Sequence, residues 1–142
     1  MTVLDSYALI AAAAGEPAAA EVEALLRTEP CALTTAGLAE LYDHLIRRVG
    51  FAAEEVDDRV EPLLGEMIVL RELDAERAAN AGRLRARLYR RRTSELSLAD
   101  CVLLASLDEG DQLATADPPL ARAARDIGFA VVALPDTRGR RP

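Results

Sequence analysis

The sequence predicts an α/β fold, a mostly parallel sheet of four to five strands with helices on both faces. Three observations predict it. Short β-rich runs alternate with longer segments of helical periodicity along the chain, the pattern of a parallel sheet covered on two sides. The 142 residues are 51% hydrophobic and 29% charged, enough for one domain with a buried core. Alanine occurs 28 times, aromatics make up 4% and Trp is absent, so the core must be built from Ala, Leu and Val between closely packed helices.

Thr2 to Leu4 reads as a short strand, and Ser6 to Ala14 as a helix broken by Gly15-Glu16-Pro17. Ala18 to Arg27 carries Val22, Leu25 and Leu26 at helical spacing. Cys31 to Thr34 is a second strand. Thr35 to Val49 is a helix, because Leu38, Leu41, Leu45 and Val49 recur on one face before Gly50 stops it. Ala53 to Leu64 is a further helix with Pro62 near its end, and Met67 to Leu70 a third strand. A long helix spans Asp74 to about Arg91, and a nearly all-apolar one Ser97 to Leu107. Gln112 to Thr115 is a weakly marked fourth strand, Pro118 to Ile127 a helix closed by Gly128, and Ala130 to Leu134 a fifth strand. No repeat or linker divides residues 1–142, which form a single domain ending in a polar tail, 135–142, expected to fray.

Composition excludes whole classes of chemistry. All 17 basic residues are Arg. Without Lys there is no phosphate-binding P-loop lysine and no Schiff base. The net charge of −7 argues against a protein that coats nucleic acid. It leaves room for a nucleic-acid enzyme whose acids hold metal. Cys31 and Cys101 form no CxxC, and with one His they cannot complete a zinc site unaided. They read as buried, reduced thiols. No apolar run reaches the roughly 18 residues of a membrane span. The run from Ala8 to Ala14 follows Asp5 rather than a basic segment, so no export signal is expected and a cytoplasmic protein is.

Four acids lie in apolar surroundings: Asp5, Glu40, Asp100 and Asp117. An ionised carboxylate there costs several kcal/mol unless compensated. Each has an ordinary explanation. Asp5 and Asp117 could cap the helices that follow them, the latter with Pro118 at the first helical position. Asp100, three residues after Ser97, imitates a capping box, and Glu40 could face water. Together they suggest more. In a parallel sheet Asp5 and Asp117 follow strand ends at one edge, and Glu40 and Asp100 fall in the first turns of helices opening on the same crevice. Converging carboxylates suit Mg²⁺ or Mn²⁺ and the hydrolysis of a phosphodiester.

These residues carry a family resemblance. Val3-Leu4-Asp5-Ser6-Tyr7-Ala8-Leu9-Ile10 resembles the opening of PIN-domain ribonucleases, as does Leu38-Ala39-Glu40-Leu41. Leu96 to Ala105, around Asp100, resembles the family's most recognisable motif. Leu113-Ala114-Thr115-Ala116-Asp117-Pro118-Pro119-Leu120 resembles its T-x-D-x-x-L segment, and Gly128 to Leu134 its last strand. Spacing and length are similar to the toxin subunits of VapBC-type toxin–antitoxin modules.

The resemblance implies a three-layer α/β/α fold and an Mg²⁺- or Mn²⁺-dependent endoribonuclease, the growth-inhibiting toxin of a type II pair. Its acidic quartet maps to Asp5, Glu40, Asp100 and Asp117. Asp5 and Asp100 would be the main metal ligands, with Glu40 and Asp117 joining directly or through water. Ser6 and Thr115 would support them, although capping or packing explains those hydroxyls equally well. A homodimer and a VapB-like antitoxin partner are implied too. Tyr7 departs from the family's pattern, in which small residues are common, and bears on the groove beside the site.

Other polar residues admit simpler roles. Asp43 shares a helix face with Glu40, but a surface pair with Arg47 is the simpler role. His44, the one imidazole, could act as a base or touch RNA; a packing or surface role is simpler. Arg83, Arg87 and Arg91 share a helical face in the most basic stretch and could guide RNA phosphates. A solvated face is the alternative. Two rival functions stand beside the toxin: a PIN nuclease of housekeeping RNA processing, and a non-catalytic α/β binding module whose acids only cap helices.

Overall fold

The computed structural model describes residues 1–89 and 95–142. Five parallel strands, β1 (Thr2–Leu4), β2 (Cys31–Thr34), β3 (Ile68–Arg71), β4 (Gln112–Thr115) and β5 (Ala130–Ala133), form one sheet in the order β3-β2-β1-β4-β5. Thr2 of β1 is level with Cys31 of β2 and Gln112 of β4, and Leu4 with Leu33 and Ala114. Strands β1 and β2 are buried along their whole length, which is why they read as short apolar runs without alternation.

Among the described residues, seven α-helices cover the sheet. Strand side chains alternate between its faces. Leu4, Leu33 and Ala114 point into a core closed by α1 (Ser6–Ala14), α2 (Ala19–Thr28), α3 (Thr35–His44) and α4 (Ala53–Val60). Val3, Ala32 and Leu113 point into a second core under α5 (Ala75–Leu88), α6 (Leu98–Ala105) and α7 (Pro118–Asp126). This is the three-layer arrangement. Cys31 and Cys101 are buried free thiols, one in each core. Among the described residues no helix is long and apolar enough to cross a membrane.

The helix ends follow from local chemistry. Gly15 ends α1 in the left-handed region, φ 70°, where its N–H reaches the Ala11 carbonyl. The Thr34 hydroxyl accepts from the Gly37 amide at 2.9 Å and starts α3. The single predicted helix over 35–49 divides: α3 gives way at Leu45 to a π-helical turn, Leu45–Val49, where the Leu45 carbonyl accepts from both Gly50 and Phe51. Pro62 lacks an N–H, so α4 stops at Val60 and a 3₁₀ turn, Glu61–Leu63, follows. The predicted long helix is observed as far as Leu88; Arg91, its expected end, lies outside the described residues. In the tail, Asp136 accepts from the Arg138 and Arg140 amides, and Arg141 pairs with Glu21 at 2.6 Å.

Candidate active site at the carboxyl edge of the sheet

The connections from β1 to β2 and from β3 back to β4 run to opposite sides of β1. The sheet's direction of progress therefore reverses between β1 and β4. Parallel sheets open a crevice at such a point, outside the carboxyl ends of the strands. Asp5 follows β1 directly, and Asp117 stands two residues past β4.

Asp5 is held on two sides. Thr115 Oγ1 donates to Asp5 Oδ2 at 2.7 Å, and Ser6 Oγ lies 3.4 Å from Asp5 Oδ1. The Ser6 hydroxyl also donates to Glu40 Oε2 at 3.1 Å, so one hydroxyl spans two of the acids. Thr115 Oγ1 in turn accepts from the Asp117 amide at 3.0 Å. The two supporting hydroxyls expected from the sequence thus join Asp5 to Glu40 and to the backbone of Asp117.

Electrostatics ties the four acids together. Burial pushes Asp5 up to about 6; the Thr115 hydrogen bond opposes this, and the charges of Asp100, Asp117 and Glu40 add to it. Glu40 is raised by burial and by Asp100, against the Ser6 hydrogen bond. Asp117 is raised by burial and by Asp100, with the Leu120 amide a weak opposing influence. Burial is the larger cause in each case, and the charges of neighbouring acids add to it.

The capping explanations fare unequally. Asp5 and Asp117 occupy N-cap positions; Asp5 makes no cap hydrogen bond, and Asp117 has only the Leu120 amide nearby, outside hydrogen-bond geometry. Asp100 does cap: its Oδ2 accepts from the Ser97 amide at 2.6 Å, while Ser97 Oγ accepts from the Asp100 amide at 2.9 Å. That box fixes Asp100 at the mouth of α6. Glu40 departs from its expected place: it is the sixth residue of α3, a turn further along than the first-turn position inferred from sequence. It still reaches Ser6 because its side chain leans back toward the sheet edge.

A cleft of about 600 Å³ opens here, lined by Asp5, Ser6, Glu40 and Asp100 at one end and by Tyr7, Ile10, Asp43 and His44 beyond. Asp43 is neutralised by Arg47, whose guanidinium donates to both carboxylate oxygens at 2.6 and 2.9 Å. Among the described residues no cation pairs with Asp5, Glu40, Asp100 or Asp117. The donor chemistry of these four unpaired carboxylates fits a hard divalent ion. No three of the described His, Cys, Asp or Glu side chains stand together closely enough to hold one, so ion binding calls for side-chain rearrangement.

Arg83 and Arg87 line a different cavity of about 360 Å³, with Asn80, Leu84 and Ala105, and Arg91 lies outside the described residues. Sequence reasoning gave Ile10 no part in the site. The available signal was its spacing, three residues after Tyr7 on one face of α1.

A family model described as PIN domain matches residues 2–126. No curated protein matches the chain. Among solved structures, VapC20 of Mycobacterium tuberculosis, a Sarcin-Ricin loop cleaving toxin, is 20% identical with a TM-score of 0.71; the match covers 92% of this chain and 97% of that one. FitAcB of Neisseria gonorrhoeae is 22% identical with a TM-score of 0.64, over 92% and 96%. VapBC2 of Rickettsia felis, bound to a DNA fragment from its promoter, is 16% identical with a TM-score of 0.67, over 92% and 96%. At these identities the likeness is one of fold.

Proposed function

The chain belongs to the PIN-domain family, and from that premise we propose that it is a divalent-metal-dependent endoribonuclease serving as the toxin of a type II toxin–antitoxin pair. One observation carries the proposal. Asp5, Glu40 and Asp100 line one cleft with no cationic partner among the described residues, and burial, with the charges of these neighbours and of Asp117 outside the lining, pushes Asp5 up to about 6.

In this reading Asp5 and Asp100 hold Mg²⁺ or Mn²⁺, with Glu40 and Asp117 joining directly or through water. The bound ion supplies positive charge against the phosphate and makes a water molecule easier to deprotonate. Thr115 and Ser6 orient Asp5 and Glu40 by the hydrogen bonds described above. The Ser97 box fixes the first turn of α6 and so the direction of the Asp100 carboxylate. Arg83, Arg87 and Arg91 are assigned to RNA phosphates away from the cut. The toxin role, a VapB-like antitoxin, a homodimer and a cytoplasmic setting rest on the family and on the toxin and toxin–antitoxin structures it resembles in fold.

Purified protein incubated with total cellular RNA and Mg²⁺ or Mn²⁺ tests the reading. New 5′ ends are mapped, with Asp100→Asn and EDTA controls. Discrete cuts that vanish in both controls support it. No cuts from folded, antitoxin-free protein would favour a non-catalytic module, and cuts surviving Asp100→Asn would mean that the site lies elsewhere.

A further inference from the structure

The cleft is polarised along its length. At one end stand Asp5, Glu40 and Asp100, without cationic partners among the described residues. At the other, the one lining carboxylate, Asp43, is paired with Arg47 at 2.6 Å, and Tyr7, Ile10 and His44 complete the lining with Ala39. That second end is aromatic and apolar along its lining, with the Glu16 and Asp136 carboxylates behind the Tyr7 hydroxyl. It lies within the same 600 Å³ cleft, inside the range of about 300–1,000 Å³ typical of small-ligand sites.

An RNA strand brings two surfaces to such a cleft. Its phosphate needs a cation, which the acidic end can recruit. Its bases need flat apolar contact, and unstacked RNA bases are bound on Tyr and His rings. We propose that Tyr7, Ile10 and His44 form a seat for one unstacked nucleobase next to the scissile phosphate, a subsite that rests on the nuclease reading above. The Tyr7 hydroxyl donates to the Pro135 carbonyl at 3.1 Å, tying the ring to the chain beyond β5. The ring is therefore positioned before substrate arrives, which lowers the entropic cost of stacking. His44 is one helical turn beyond Glu40, so the imidazole faces the same cleft as the carboxylate.

The seat can be tested without catalysis, because His44 is the chain's one histidine and gives one imidazole NMR signal in protein prepared without a histidine tag. Wild-type protein in EDTA is titrated separately with AMP, GMP, CMP, UMP and ribose 5-phosphate. At least one mononucleotide should shift the His44 signal saturably while ribose 5-phosphate leaves it in place. Tyr7→Leu should weaken that binding by about tenfold, within the value of one base–aromatic stack. Tyr7→Phe, which keeps the ring but loses its tie to Pro135, should weaken binding less than Tyr7→Leu does. An equal response to ribose 5-phosphate, no response to any nucleotide, or unchanged affinity in folded Tyr7→Leu would overturn the seat. Should Tyr7→Leu fail to fold, the wild-type contrast and Tyr7→Phe decide. The cleavage assay stays separate: RNA cut with no His44 response removes the seat alone, and a response without cutting removes the nuclease reading.

Discussion

The Thr115 hydroxyl, at the end of β4, donates a 2.7 Å hydrogen bond to Asp5, at the end of the neighbouring β1. It opposes the burial and like charges that push Asp5 up to about 6. Thr115→Val keeps the shape and removes the bond, so the Asp5 carboxyl should titrate higher than in the wild type, followed by carboxyl-carbon NMR. At pH 8, where Asp5 is ionised, the variant should lose about 1.5–3 kcal/mol of stability in urea unfolding. An unchanged Asp5 titration would show that the hydroxyl does not support the charge.

The strands were legible because short apolar runs between helices have few other uses, and the ends of β1 and β4 placed Asp5 and Asp117 from spacing alone. Glu40 was placed a turn too early although the helix start at Thr35 was read correctly: with 3.6 residues per turn the sixth residue already belongs to the second turn. The π-helical turn at Leu45 was invisible, since a single turn closed at i+5 barely disturbs the apolar pattern. The Tyr7–Pro135 contact joins residues 128 apart in sequence, and no local signal announces it.

Ser97 and Asp100 separate stability from chemistry. Ser97→Ala removes the hydroxyl that accepts from the Asp100 amide. It should cost about 1 kcal/mol and lower Tm by roughly 2–4 °C. Asp100→Asn retains an acceptor for the Ser97 amide, so its Tm should stay close to wild type while RNA cutting stops. If calorimetry shows a large loss for Asp100→Asn and cutting persists, Asp100 is a cap and nothing more.

Away from the cleft, Arg71 closes β3 and reaches into the loop before β4. Its guanidinium pairs with Asp111 at 2.6 Å and with Asp108 at 3.4 Å, and donates to the Ser106 carbonyl. Arg71 and Asp111 are 10% and 5% exposed. Burial alone would raise Asp111, but Arg71, the Asp108 amide and the Met1 ammonium hold it below its ordinary value. Its stabilisation is present above the ordinary carboxylate range and is lost as pH falls through the folded-state pKa. Arg71→Met leaves a buried charge short of its main partner and should cost about 3 kcal/mol at pH 7. That difference should shrink on acidification. A constant difference in urea unfolding between pH 7 and pH 3 would rule out this electrostatic origin.

Asp5 has the opposite linkage. Its folded-state pKa, about 6, lies above the ordinary 3.8, so the native protein binds that proton more tightly than the unfolded chain does. The stabilisation is complete below the ordinary value and is lost as pH rises through about 6. In EDTA at pH 8 the wild type therefore carries the full cost of a buried Asp5 charge and of its repulsion by the neighbouring carboxylates, and Asp5→Asn should be more stable by about 1–3 kcal/mol. The two proteins should converge as pH falls below the ordinary carboxylate value. Saturating Mg²⁺ or Mn²⁺ should reverse the order, since an ion that binds only the native state adds stability as its concentration exceeds Kd, and Asp5→Asn lacks the carboxylate that holds it. Thermal melts at pH 4 and pH 8, with EDTA or with Mn²⁺, give all four comparisons. An Asn variant less stable than wild type in EDTA at pH 8 would mean that the ionised Asp5 carries no net penalty from burial and its acidic neighbours, and the reason for placing a cation beside it would be gone.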